Sequence, residues 1–157
     1  MIKVLTAGED VHRLEDDAGT HVGWIHGRAL SFGGMRSEAE AVAAAAAAWQ
    51  AFDAALRRHY FGRPPHDVVA ERLRLVHDGA YEWVTDGRRP VARLYRPRHD
   101  RDDGGYSIEL VLPSYASEGV AIAVAQVVGN ALVARRARGA APAERAAAAA
   151  PARGADR

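Results

Sequence analysis

The first part of the chain alternates apolar and polar residues in short runs and then changes to a helical period. Val11-His12-Arg13-Leu14-Glu15 and Val22-Gly23-Trp24-Ile25-His26 have strand character, and Asp16-Asp17-Ala18-Gly19-Thr20 between them has turn chemistry. Arg28-Ala29-Leu30-Ser31-Phe32 predicts a third strand, which Gly33-Gly34 is expected to break. Ser37 with Glu40 three residues later is a capping-box pattern, in which the serine caps free amides and the glutamate reaches back to the cap's own amide. Val42, Ala45, Trp49, Phe52 and Leu56 then recur at spacings of three and four, which predicts a helix to about His59 with one apolar face. Phe61-Gly62-Arg63-Pro64-Pro65 must stop it and marks a linker.

The second half repeats the scheme. Leu73-Arg74-Leu75-Val76-His77, an Asp78-Gly79 turn and Ala80 to Thr85 predict a hairpin, and Val91 to Arg96 a further strand. After a polar loop from Pro97 to Gly105, Tyr106, Ile108, Leu110 and Leu112 alternate with polar residues, the clearest strand pattern in the chain. Pro113 ends it, and Ser114 or Ser117 can cap a helix from Glu118 to about Arg138. Its buried face is expected to hold Val120, Val124, Val127, Val128, Ala131 and Leu132, while Arg135, Arg136 and Arg138 complement its C-terminal dipole.

The expected fold is therefore α+β, with antiparallel sheet and two long helices in sheet-plus-helix units over 1–60 and 66–138 that pack as one domain. Residues 139–157, rich in alanine, proline and arginine without large apolar side chains, are expected to be a disordered tail. Trp24 and Trp83 each fall in what reads as the second strand of a unit, ahead of Gly27-Arg28 and Gly87-Arg88, which suggests a duplicated strand-strand-strand-helix unit. The extra strand and polar loop of the second half leave duplication unproven.

Composition narrows the chemistry. The 157 residues suffice for a full core, and the absence of cysteine excludes disulfides, thiolate metal sites and a cysteine nucleophile. Twenty-one basic residues against twenty acidic ones give a formal charge of +1, so the whole chain makes no strong electrostatic demand for nucleic acid or an anionic membrane. The N-terminal residues lack a signal-peptide pattern, and Val120 to Ala134 is shorter than the ~20 apolar residues a membrane span needs. A cytoplasmic protein is the expectation.

No catalytic, cofactor or metal motif emerges. His66-Asp67, His77-Asp78 and His99-Asp100 lie at turns or in linkers, and Asp100, Asp102 and Asp103 are interleaved with Arg98 and Arg101. His21 and His26 would face opposite sides of one strand unless it bulges. Gln126 and Asn130, one turn apart on an apolar helix, need hydrogen-bond partners at the edge of the core. Nucleophile elbows and phosphate-binding glycine loops are missing.

The arginines carry the best functional thread. Arg74, Arg88, Arg89, Arg93 and Arg96 cluster among Tyr81, Trp83 and Tyr95, the combination of charge and aromatic faces that a nucleic-acid-binding or partner-binding sheet uses. Parity places Arg93 and Tyr95 on one strand face and Arg96 on the other. The leading expectation is a non-catalytic binding or regulatory module for nucleic acid or protein. A structural homodimer built on the apolar helix faces is the second, and an enzyme using His77, Asp78 or Glu109 in a cleft between units the third.

Overall fold

The computed structural model describes residues 1–60, 72–78, 81–88, 90–96 and 105–149. The expected linker at 61–65, Arg89, two of the three His-Asp pairs and the acidic cluster lie outside the described residues. The chain forms an α+β fold: strands β1 (Lys3–Gly8), β2 (Val11–Glu15), β3 (His21–His26) and β4 (Ala29–Met35), helix α1 (Glu38–His59), strands β5 (Arg74–Asp78), β6 (Tyr81–Thr85), β7 (Pro90–Tyr95) and β8 (Tyr106–Val111), and helix α2 (Glu118–Ala149). All eight strands form one antiparallel sheet in the order β1-β2-β3-β4-β8-β7-β6-β5.

The first unit thus has four strands and a helix, as the second does, and not the three strands expected of it. The additional strand is β1, which pairs with β2 through Val4↔Leu14 and Leu5↔Arg13. With β1 in place, Trp24 sits in the third strand of its unit and Trp83 in the second strand of its own. The two tryptophans are therefore not equivalent positions.

Strand β4 does not stop at the glycine pair. It runs through to Met35, with its register on β8 shifting between Phe32 and Met35 and Gly34 at φ +81°, where a side chain would be strained. The pair makes a bulge, which adds a residue and bends the strand rather than ending it.

Helix α1 begins where its cap pattern predicts. Ser37 Oγ accepts from the Glu40 N–H at 3.1 Å, but Glu40 Oε2 reaches one residue further back, to the Arg36 N–H at 2.8 Å. The expected apolar stripe is present: Ala45, Trp49, Phe52 and Leu56 are buried, with Val42 at its margin. Helix α2 buries Ala121, Val124, Ala125, Val128 and Leu132, and continues past Arg138 to Ala149, consistent with the high helix propensity of alanine. Residues 150–157 of the expected tail lie outside the described residues.

The helices pack on each other and on one face of the sheet. Helix α1 rests on β4, β7 and β8, and α2 on β1, β3 and β4, so each helix lies largely over strands of the other unit. Both apolar helix faces are therefore used inside the chain. By length and composition alone 118–139 could cross a membrane; here its apolar positions help to close the core.

The N-terminal strand is held by the residues that the sequence left in search of partners. Asn130 Oδ1 accepts from the Ile2 N–H at 2.8 Å, and Gln126 Nε2 donates to the Ile2 carbonyl at 3.4 Å. A Cβ on Gly129 would come within 2.8 Å of the Ile2 side chain, so a glycine there makes room for a residue only 2% exposed.

Candidate functional site

The sheet has one covered face and one open face, and pairing register sorts the side chains between them. On the covered face one row crosses all eight strands: Val4, Leu14, Gly23, Phe32, Ile108, Leu94, Glu82 and His77. One residue along each strand, the row on the open face reads Leu5, Arg13, Trp24, Ser31, Glu109, Arg93, Trp83 and Val76. Because side chains alternate between faces, no residue belongs to both rows.

The open face carries side chains that water should disfavour. Leu5, Trp24, Val76, Tyr81, Tyr95 and Val111 are all exposed there, with Trp83 half-buried among them. At about 4.8 Å between strands the row is about 34 Å long. Two hollows indent it. One, of about 430 Å³, is lined by Ala7, Val11, Trp24, His26, Ala29, Ser31 and Glu109. The other, of about 460 Å³, is lined by Val76, His77, Trp83, Thr85 and Pro90.

The two tryptophans have different company. Over the C-terminal half, the Arg93 guanidinium stands 4.1 Å from the Tyr81 ring centroid, 4.9 Å from Trp83 and 5.9 Å from Tyr95. It donates to Tyr95 Oη at 2.9 Å and lies 3.7 Å from Glu109 Oε1. The tyrosine hydrogen bond, aided by the charge of Glu109, pushes the Arg93 pKa up. Trp24 instead has histidine neighbours, His21 at 5.1 Å and His26 at 6.3 Å between ring centroids. Both histidines reach the same ring because the β2–β3 register shifts between Leu14 and Glu15, the bulge condition under which their odd spacing ceases to separate them.

The expected arginine cluster is divided. Arg93 and Arg74 are on the open face, Arg74 through its pairing with Thr85. Arg88 is exposed in the turn after β6, where its N–H donates to Asp86 Oδ1 at 2.9 Å. Arg96 belongs to the helix side, as parity predicts. It binds Glu82 through Nε at 2.7 Å and Glu38 of α1 through Nη2 at 2.8 Å, and these two hydrogen bonds, Glu82 first, push its pKa up. It fastens α1 to the sheet beyond the apolar core. Arg13, on the open face, pairs with Glu15 at 3.0 Å.

The residues considered for a catalytic cleft do not converge. His77 stands in the covered-face row and Glu109 in the open-face row, with β6 and β7 between their strands. His77 Nδ1 bonds Glu82 at 2.9 Å. The two units meet edge to edge through the β4–β8 ladder. Among the described residues no group of three or more His, Asp or Glu side chains could hold a metal ion.

Sequence reasoning missed a polar clasp on the covered side. His12, 4% exposed, pairs through Nε2 with Glu118 Oε1 at 2.8 Å and so ties β2 to the first turn of α2, which Ser117 caps. Its buried Nδ1 has no hydrogen-bond partner among the described residues. The two residues are 106 positions apart, and no local pattern announces such a pair.

No protein-family model matches the chain, and no curated protein or solved structure matches it either.

Proposed function

We propose that this chain is a non-catalytic binding module whose open sheet face docks a protein partner. The supporting observation is the open face itself: aromatic and aliphatic side chains, interspersed with arginines, that no described element covers, on a sheet whose opposite face packs against the helices. Tryptophan, tyrosine and arginine are the residue types that dominate binding energy at protein interfaces.

Nucleic acid fits this face less well. A polyphosphate needs several cations free to displace its counterions. Arg93 is occupied by Tyr95 and Glu109, Arg13 by Glu15, and Arg96 lies on the other side with Glu82 and Glu38. Of the described arginines of the cluster, Arg74 and Arg88 are left near one corner, with an Arg74 nitrogen close to Gly87.

The test is site-specific photocrosslinking in the cells that make the protein. A benzophenone amino acid at Val111 or Tyr81 should yield a defined protein adduct, whereas one at Tyr115, exposed outside the open face, should not. The adduct partner, purified and titrated against the chain, should lose at least tenfold in affinity on Trp24→Ala or Trp83→Ala. Equal labelling from Tyr115, or tight nucleic-acid binding that falls steeply with salt and depends on Arg74 and Arg88, would overturn the proposal.

A further inference from the structure

The open face already contains one solved recognition problem. Arg93 shows how this surface holds a guanidinium: within about 5 Å of the ring centroids of a phenol and an indole, with the Glu109 carboxylate 3.7 Å away. Glu109 sits near the middle of the row, with Arg93 and Trp83 on one side and Ser31 and Trp24 on the other. On the Arg93 side, the position between carboxylate and indole is an arginine. On the other side, it is a serine.

We propose that the hollow over Ser31 receives an arginine side chain from the protein partner, stacked on Trp24 and facing Glu109; this rests on the open face being a protein-docking surface. Three observations meet there. The hollow of about 430 Å³ is bounded by Trp24 and Glu109, and its lining includes Ala7, Ala29 and Ser31, whose small side chains leave the space open. Trp24 and Glu109 each pair directly with Ser31, so a group standing over Ser31 is about 5 Å from the strand on either side, within the ~6 Å reach of a cation–π contact. Trp24 has two imidazole neighbours, and among the described residues no arginine stands over its ring, in contrast to Trp83.

The charge fits the same occupant. Glu109 is shared between Arg93 and the Tyr95 hydroxyl at 3.4 Å, and its side chain is 19% exposed. A second guanidinium on its free side would complete a symmetrical row: indole, guanidinium, carboxylate, guanidinium, indole. A planar guanidinium suits the indole face and can hydrogen-bond Glu109 and Ser31 together, and it brings the positive charge, for the carboxylate and for the indole face, that a neutral side chain of the same shape lacks.

The experiment titrates the intact protein with ethylguanidinium, and in parallel with ethylurea, its neutral isostere, while following the three indole N–H signals by nitrogen-15 NMR. Trp24, Trp49 and Trp83 are assigned with single Trp→Phe variants. Ethylguanidinium should move the Trp24 signal saturably and at least threefold more than ethylurea, with buried Trp49 as the silent reference. Ser31→Arg, which supplies the cation from within the chain, should abolish the response and leave Trp49 unchanged. Equal shifts with the two compounds, or a Trp24 response that survives Ser31→Arg, would overturn the inference. Failure here leaves the docking proposal to its own test, since affinity for a crosslinked partner can depend on Trp24 and Trp83 without an arginine between them.

Discussion

Two rows of side chains cross the same eight strands one residue apart, and they have been put to opposite uses. The covered row is Val4, Leu14, Gly23, Phe32, Ile108 and Leu94 until it leaves the helices at Glu82 and His77. Its phenylalanine fits because Gly23 has no Cβ: one there would come within 2.1 Å of the Ser31 carbonyl oxygen and 3.1 Å of the Phe32 ring. The open row has equally large residues, but its tryptophans alternate with arginines, a serine and a glutamate, and no element of the described chain covers it. One row is packed to fold the chain; the other is matched in charge and left accessible.

Breaking the covered row should have the largest effect. Gly23→Val must separate β3 from β4, since the obstacle is backbone, and is expected to cost about 3 kcal/mol or more, read as a fall in the denaturant midpoint or loss of soluble protein. Phe32→Ala, at a fully buried position, should cost about 3–5 kcal/mol in the same measurement. On the open row, Arg93→Ala should cost about 1–2 kcal/mol, through its aromatic and hydrogen-bond contacts. It should also turn the C-terminal half into a second open indole site, so that Trp83 begins to respond to ethylguanidinium.

Trp24→Ala should change stability by no more than about 0.5 kcal/mol while weakening partner binding by about 2 kcal/mol. That divergence between folding and binding is the signature of the open row, and Phe32→Ala should show the reverse. Arg96→Ala is the smallest change: a slightly lower melting temperature from the lost Glu82 and Glu38 bridges, with no effect on partner affinity because the side chain stands on the covered side.

Local patterns in the sequence disclosed most elements, because caps, periods and turn residues are local. Strand β1 escaped because Leu5 points to the open face and Ala7-Gly8 has little strand character, so no clean alternation marks it. The glycine pair at 33–34 reads as a breaker when the partner strand is unknown, and becomes a bulge once β8 lies beside it. Parity alone separated Arg93 from Arg96. What it could not supply was the long-range register that aligns Trp24, Ser31, Glu109, Arg93 and Trp83 in one line, or the pairing of His12 with Glu118. Those depend on which strands become neighbours, and residues 31 and 109 are joined only by the fold.

The central claim is that the open face is covered by a protein partner where the chain works. Hydroxyl-radical footprinting of the isolated protein and of the same protein inside its own cells compares that face directly in the two states. The account predicts strong protection of Trp24, Tyr81 and Tyr95 in the cell, with Tyr115 labelled equally in both. Equal labelling of all four residues in the two samples would contradict it.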